Sequence, residues 1–274
     1  MLCVHSLHPQ PIKKYIAETE TSLLTQATIG KHFDGWGIGY YHDQHPVILK
    51  TSKSITKENL QDLNALSSPL FLAHIRKATN PLDVQTEELI TEKNAHPFTY
   101  KDYTFAHNGT LKIAKEVKKH LGSYGEHLEA NNDSEILFRF ILKLAEEKKG
   151  LTHAFLHLEQ ELNSIYETIK EPPLKPFTSL NCILTNGNII YAYNRFLKQT
   201  KKKANCSQDP YYVMQYYHDE EKLIISSERL FNGEWKPIGN GFLLEAQSTT
   251  EGISINKIEL PKLHFIHTTP IMQP

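Results

Sequence analysis

Cys3 stands near the start of a chain with only two other cysteines, Cys182 and Cys206. A thiol nucleophile needs a base for its proton and donors for the oxyanion that its attack creates. The run His107-Asn108-Gly109 holds candidate donors, because an Asn amide beside a glycine N–H can converge on one oxygen. An Asn-Gly pair at a strand end is equally a turn. Arg76, in Ala73-His74-Ile75-Arg76-Lys77-Ala78-Thr79, carries a planar fork suited to two-point binding of a carboxylate, or to a surface ion pair. Asp133, in Asn131-Asn132-Asp133-Ser134-Glu135, reads both as a helix N-cap and as a carboxylate offered to an ammonium. The glycines of Gly35-Trp36-Gly37-Ile38-Gly39 would let backbone N–H groups approach a ligand, or mark a bulged strand entry. A metal hydrolase built on His74, His96 and His107 is a further alternative, but these three have no H-x-x-x-H or H-E-x-x-H spacing.

Short apolar or alternating runs bounded by turn residues predict strands over 37–41, 47–50, 70–75, 103–107, 179–185, 189–193, 211–217, 222–226 and 241–246. Helices are predicted over 111–121, 134–147 and 152–169, the second with Ile136, Leu137, Phe140, Ile141 and Leu144 on one face. Strands lie on both sides of Glu171-Pro172-Pro173-Leu174-Lys175-Pro176, so this break joins two halves of one domain. Helices enter in blocks instead of alternating with strands, which indicates an α+β fold. A net charge of −1 and a hydrophobic share of 39% argue for a packed core and against broad capture of nucleic acid or anionic membrane. Lys201-Lys202-Lys203 reads as a solvated loop. Sparse, unpatterned cysteine and the lack of an apolar leader in the first twenty residues point to the cytoplasm. No apolar run reaches the roughly 18 residues of a membrane span.

Taken together, Cys3, HFDGWGIGYY, AHIRKAT, NAHPF, FAHNGTL and NDSE resemble the class II glutamine amidotransferases, and most of all their stand-alone glutaminase-domain members. Later matches are Ile224–Leu230 and Trp235–Gly241, so the resemblance covers about 3–245 of a single domain spanning 1–274, with 246–274 as a C-terminal extension. It implies a four-layer αββα sandwich of two mainly antiparallel sheets, the N-terminal nucleophile hydrolase fold. It also implies that Cys3 is the nucleophile, with its own α-amine as base, and that Asn108 and the Gly109 N–H hold the oxyanion. Arg76 with Thr79 would bind the substrate's α-carboxylate, Asp133 its α-ammonium, and the Gly35-Trp36 turn would lie against the substrate. The implied reaction is hydrolysis of glutamine or a γ-glutamyl amide, without metal or organic cofactor. The alternatives are delivery of ammonia to a separate synthase partner, and a non-catalytic binding protein if Cys3 is never exposed. Two departures stand out: Leu2 lies between Met1 and the cysteine, and Lys77 follows Arg76 where many synthase-linked relatives have an aromatic residue.

Overall fold

Alternating burial along the strands leaves three separate apolar clusters, and these define the layers. The computed structural model describes residues 1–130, 132–197, 201 and 203–262. Its strands are β1 (Leu2–Pro11), β2 (Trp36–His42), β3 (His45–Thr51), β4 (Ser67–Ile75), β5 (Phe98–Tyr100), β6 (Tyr103–Leu111), β7 (Phe177–Thr185), β8 (Ile189–Asn194), β9 (Gln215–His218), β10 (Lys222–Ser226), β11 (Lys236–Pro237), β12 (Phe242–Thr249) and β13 (Gly252–Glu259). The helices are α1 (Leu23–Gly30), α2 (Thr86–Leu89), α3 (Ala114–Lys118), α4 (Asp133–Glu147) and α5 (Leu151–Glu167).

Seven strands form one sheet in the order β11-β9-β10-β1-β4-β2-β3, and six form the other in the order β13-β12-β8-β7-β6-β5. The pairings within both sheets are antiparallel. Even and odd residues of β1 point to opposite faces, as the period of two requires. Leu2 and Val4 pack with Tyr15, Ile16, Leu23 and Ala27 on the outer, helical side. Met1 and Cys3 face the other way and pack with Leu72, Ala106, Ile183 and Ile225 between the sheets. The outer face of the second sheet is covered by α4 and α5, whose Ile136, Phe140, Phe155 and Leu158 join its Phe105, Leu180 and Tyr193. The order is therefore helix, sheet, sheet, helix, the four-layer α+β sandwich expected.

Several boundaries differ from expectation. The helix predicted over 111–121 is regular only over Ala114–Lys118. Residues 211–214 are not strand, and β9 begins at Gln215. The α4 N-cap is Asn132, whose side chain accepts from the Glu135 N–H; Asp133 is the first helical residue. The predicted extension contains β13, which pairs along the length of β12 and so belongs to the sandwich. Asn131, Lys202 and residues 263–274 lie outside the described residues.

Candidate functional site

The two sheets open at one end onto a cavity of about 320 Å³. Its wall is assembled from the end of β4, the bulged end of β6, the first turn of α4 and the start of the chain. Arg76, Thr79, Asn108, Gly109 and Asp133 all line it, as does Met1, so four separate stretches of sequence meet there.

Arg76 follows the last residue of β4 and is 4% exposed. Its backbone N–H donates to the Gly35 carbonyl at 2.8 Å and its Nη1 to the Leu89 carbonyl at 2.9 Å. Burial lowers its pKa, and Asp34 and Asp133 oppose the change. Asp133 is buried to 3% exposure, and its Oδ2 accepts from the Leu111 N–H at 2.7 Å. Burial raises its pKa against the pull of His107, that hydrogen bond and Arg76. A carboxylate held at that cost is a natural counter-charge for an incoming ammonium. Arg76 and Asp133 thus place opposite charges on one wall, the arrangement an amino-acid zwitterion needs.

Asn108 lies beside them on β6, with Oδ1 2.8 Å from His74 Nε2. Register slips just beyond Gly109, between Gly109 and Leu111, and a side chain at Gly109 would collide with the Ser179 carbonyl. Glycine is required there for backbone approach. His107 donates from Nε2 to that same carbonyl at 3.0 Å, and its Nδ1 therefore takes the Ser134 hydroxyl hydrogen, also at 3.0 Å. His74, His96 and His107 line the cavity together. Among the described residues no group of three or more His, Cys, Asp or Glu side chains is arranged to hold a metal ion.

Two residues expected at the substrate lie elsewhere. Trp36 is 7% exposed and packs in the outer cluster with Ile38 and Ile75. Gly35 does not line the cavity; it acts through its carbonyl, which holds the Arg76 N–H. Cys3 is likewise away from the cavity with Met1 and Leu2 in place. It sits mid-sheet opposite Leu72 and Ile225, 1% exposed, with burial pushing its thiol pKa up. The residue on the cavity wall is Met1. Two residues of strand separate the two positions, roughly 6.6 Å. The Met1 amine donates to Ser227 Oγ at 3.0 Å, and burial lowers its pKa to about 5 against the opposing charge of Glu228.

The far wall comes from segments that carry no site motif in the sequence. Tyr211, Tyr212 and Met214 line it, on a strap leading into β9. Asn181 and Asn194 both donate to the Tyr212 carbonyl, at 2.6 and 3.0 Å. Buried Glu228 accepts from the Asn205 and Cys206 N–H groups at 2.8 and 2.7 Å. Each of these contacts spans distant segments, so no local pattern announces them.

A family model described as "Glutamine amidotransferases class-II" matches residues 19–250, a span that begins downstream of Cys3. An uncharacterized protein of Methanocaldococcus jannaschii is 26% identical over 263 residues, covering 87% of this chain and 69% of its own. A protein of Saccharomyces cerevisiae named as a probable glutamine amidotransferase is 23% identical over 258 residues, covering 79% of this chain and 70% of its own. Among solved structures, a glutamine aminotransferase class-II domain protein from Silicibacter pomeroyi superposes with a TM-score of 0.61 at 17% identity, covering 95% of this chain and 99% of that one. The allosteric regulatory enzyme of purine biosynthesis gives 0.57 at 12% identity, over 93% of this chain and 48% of that one. At these identities the superpositions speak for the fold.

Proposed function

Because this chain belongs to the class II glutamine amidotransferases, we propose that its cavity takes a γ-glutamyl head and that the chain hydrolyses glutamine or a γ-glutamyl amide. The observation that carries this reading is the meeting of buried Arg76 and Asp133 with Asn108 and Gly109 on one wall. Arg76 takes the α-carboxylate through its fork, with Thr79 beside it, and Asp133 takes the α-ammonium. These contacts select a free glutamyl head over a glutamine side chain within a protein. Asn108 and Gly109 then meet the γ-carbonyl oxygen as it becomes an oxyanion.

The nucleophile in this reading is Cys3, freed by removal of Met1 and Leu2. Its thiol gives its proton to its own α-amine and attacks the γ-carbon. Collapse of the tetrahedral intermediate expels the amine, which leaves with that proton, and a γ-glutamyl thioester remains. Water cleaves the thioester, giving glutamate and restoring the thiol. The ammonia either diffuses away or passes to a separate synthase partner, and the hydrolytic outcome is preferred. A second reading, binding without turnover, draws on the burial of Cys3 and the position of Met1 on the cavity wall.

The test compares a form beginning at Cys3 with a form retaining Met1 and Leu2. Intact mass verifies each start, and glutamate and ammonia release are followed with glutamine and with γ-glutamyl amides. Turnover by the first form and near-silence of the second is the expected result. A folded form beginning at Cys3 that binds but never turns over any γ-glutamyl compound would leave the binding reading in its place.

A further inference from the structure

An asparagine amide has two unlike ends, and only the NH2 end can serve an oxyanion. At Asn108 the choice is made by one neighbour. His74 Nε2 lies 2.8 Å from Asn108 Oδ1. A hydrogen bond needs one donor and one acceptor, so an oxygen at that place requires the hydrogen to be on Nε2. The opposite pairing, a bare Nε2 facing the Asn108 NH2, would turn the carbonyl into the cavity and put a lone pair where negative charge develops. The tautomer of His74 and the orientation of Asn108 are therefore one choice.

The surroundings fix the ring as well as its partner. His74 is 4% exposed and stacks on His96 with centroids 4.3 Å apart and planes tilted by 37°. His96 in turn meets Phe98 edge-on at 4.7 Å. His74 Nδ1 makes no hydrogen bond with the described protein, and neither does either nitrogen of His96. A neutral ring with a bare Nδ1 leaves an acceptor unmet, whereas the other tautomer would bury an unmet N–H as well as reverse Asn108. Burial above all, with smaller contributions from the chain-start amine, His32 and Arg76, lowers the ring's pKa well below the ordinary value. Asn108 Nδ2 has no hydrogen bond to any described residue, and Asn108 lines the cavity.

We infer that His74 is a positioning residue: through Nε2–H it holds the Asn108 carbonyl and so presents the Asn108 NH2 to the substrate's γ-carbonyl oxygen. The inference rests on the γ-glutamyl reading of the cavity for its kinetic consequence, though not for its structural one. His74 itself touches no reacting atom.

The experiment has two arms. In the first, two-dimensional ¹H–¹⁵N spectra of the histidine rings in the full chain read the tautomer directly, with His74→Phe used to assign the signal. A protonated Nε2 and a bare Nδ1 on His74 are expected; the reverse tautomer overturns the inference, whether or not the protein turns substrate over. In the second, kcat and KM for glutamine are measured on the form beginning at Cys3 for His74→Phe, His74→Gln, Asn108→Ala and the double variant His74→Phe/Asn108→Ala. His74→Phe keeps a stacking ring but loses the donor, so kcat should fall about tenfold or more with KM within about twofold. His74→Gln, which keeps an N–H, should recover part of the loss. Asn108→Ala should lower kcat by about 10²–10³-fold, and the double variant should be no slower than Asn108→Ala alone. Losses that multiply in the double variant, or a His74→Phe effect confined to KM, overturn the inference. A wild type without turnover would count against the hydrolase reading and leave the ring spectra to decide this one.

Discussion

Lowering the pH from 7.5 to 5.0 should weaken this protein through its buried imidazoles, and His96→Phe should remove one share of that loss. His96 is 4% exposed, neither of its nitrogens has a hydrogen-bond partner, and its pKa is held well below the ordinary 6.5 by burial, with His74, Arg76, His107 and Lys50 adding to the effect. A base whose pKa falls on folding binds more protons in the unfolded chain, so stability declines as pH drops below 6.5 and levels off below the folded-state value. For a ring still neutral in the native state at pH 5, the loss is RT ln(1 + 10^1.5), about 2 kcal/mol. His74, whose pKa burial also holds well below the ordinary value, contributes in the same sense. Asp133 and Glu159, whose pKa values are raised by burial, change in the opposite sense, so the absolute pH profile is a composite. The comparison that isolates His96 is between variants. Phenylalanine preserves the ring against His74 and Phe98 and sacrifices no protein hydrogen bond, so His96→Phe should lie within about 1.5 kcal/mol of wild type at pH 7.5. At pH 5.0 it should gain about 2 kcal/mol on wild type in urea unfolding. A gap that is the same at both pH values would refute the claim that His96 is kept neutral by the fold.

Arg76→Lys keeps the charge but loses the fork, so it should raise KM for glutamine-like substrates with little change in kcat. Gly109→Ala would drive a methyl into the Ser179 carbonyl; a displaced strand and a loss of at least about 2 kcal/mol in thermal or urea unfolding are expected. In the form beginning at Cys3, a glutamine-like diazoketone should label Cys3 alone and Cys3→Ala should abolish turnover, whereas Cys182→Ala and Cys206→Ala should not. Labelling at Cys206, the half-buried thiol whose pKa is pushed to about 11, would refute that assignment.

That Arg76, Asn108 and Gly109 meet at one cavity follows from their places at or beside the ends of strands whose patterns are plain. AHIRKAT closes the apolar run that becomes β4, and AHNG ends the regularly paired part of β6, so Arg76, Asn108 and Gly109 lie where those strands reach the cavity. Asp133 also lines it, but the cap was misassigned between neighbours. Asn132 and Asp133 are both good capping types, and only the tertiary demand of the Leu111 N–H draws Asp133 away. β1 went unread because Leu2-Cys3-Val4 is apolar on both faces, buried between helices on one side and a sheet on the other. α1 has little apolar asymmetry along Leu-Leu-Thr-Gln-Ala-Thr-Ile-Gly and is set by the Ser22 cap and packing. Tyr211 and Tyr212 have the composition of a strand because aromatics favour strands, yet the Tyr212 carbonyl is held by the Asn181 and Asn194 side chains in a strap. β13 has an exposed polar rim at Asn256, Lys257 and Glu259, the composition of an edge, so it lacks the apolar run that marks an interior strand.

The burial of Met1 has a practical side. Its amine is tied to Ser227, and both residues line the cavity. Any polypeptide joined ahead of Met1, such as an affinity tag or a fluorescent fusion, must run out through the very space in which a ligand would lie. A purified protein tagged at that end would therefore arrive with its own plug, and a weak signal in a binding screen would report the vector as much as the enzyme. A cleavable tag that leaves no residue behind, or attachment at the other end of the chain, avoids that confusion.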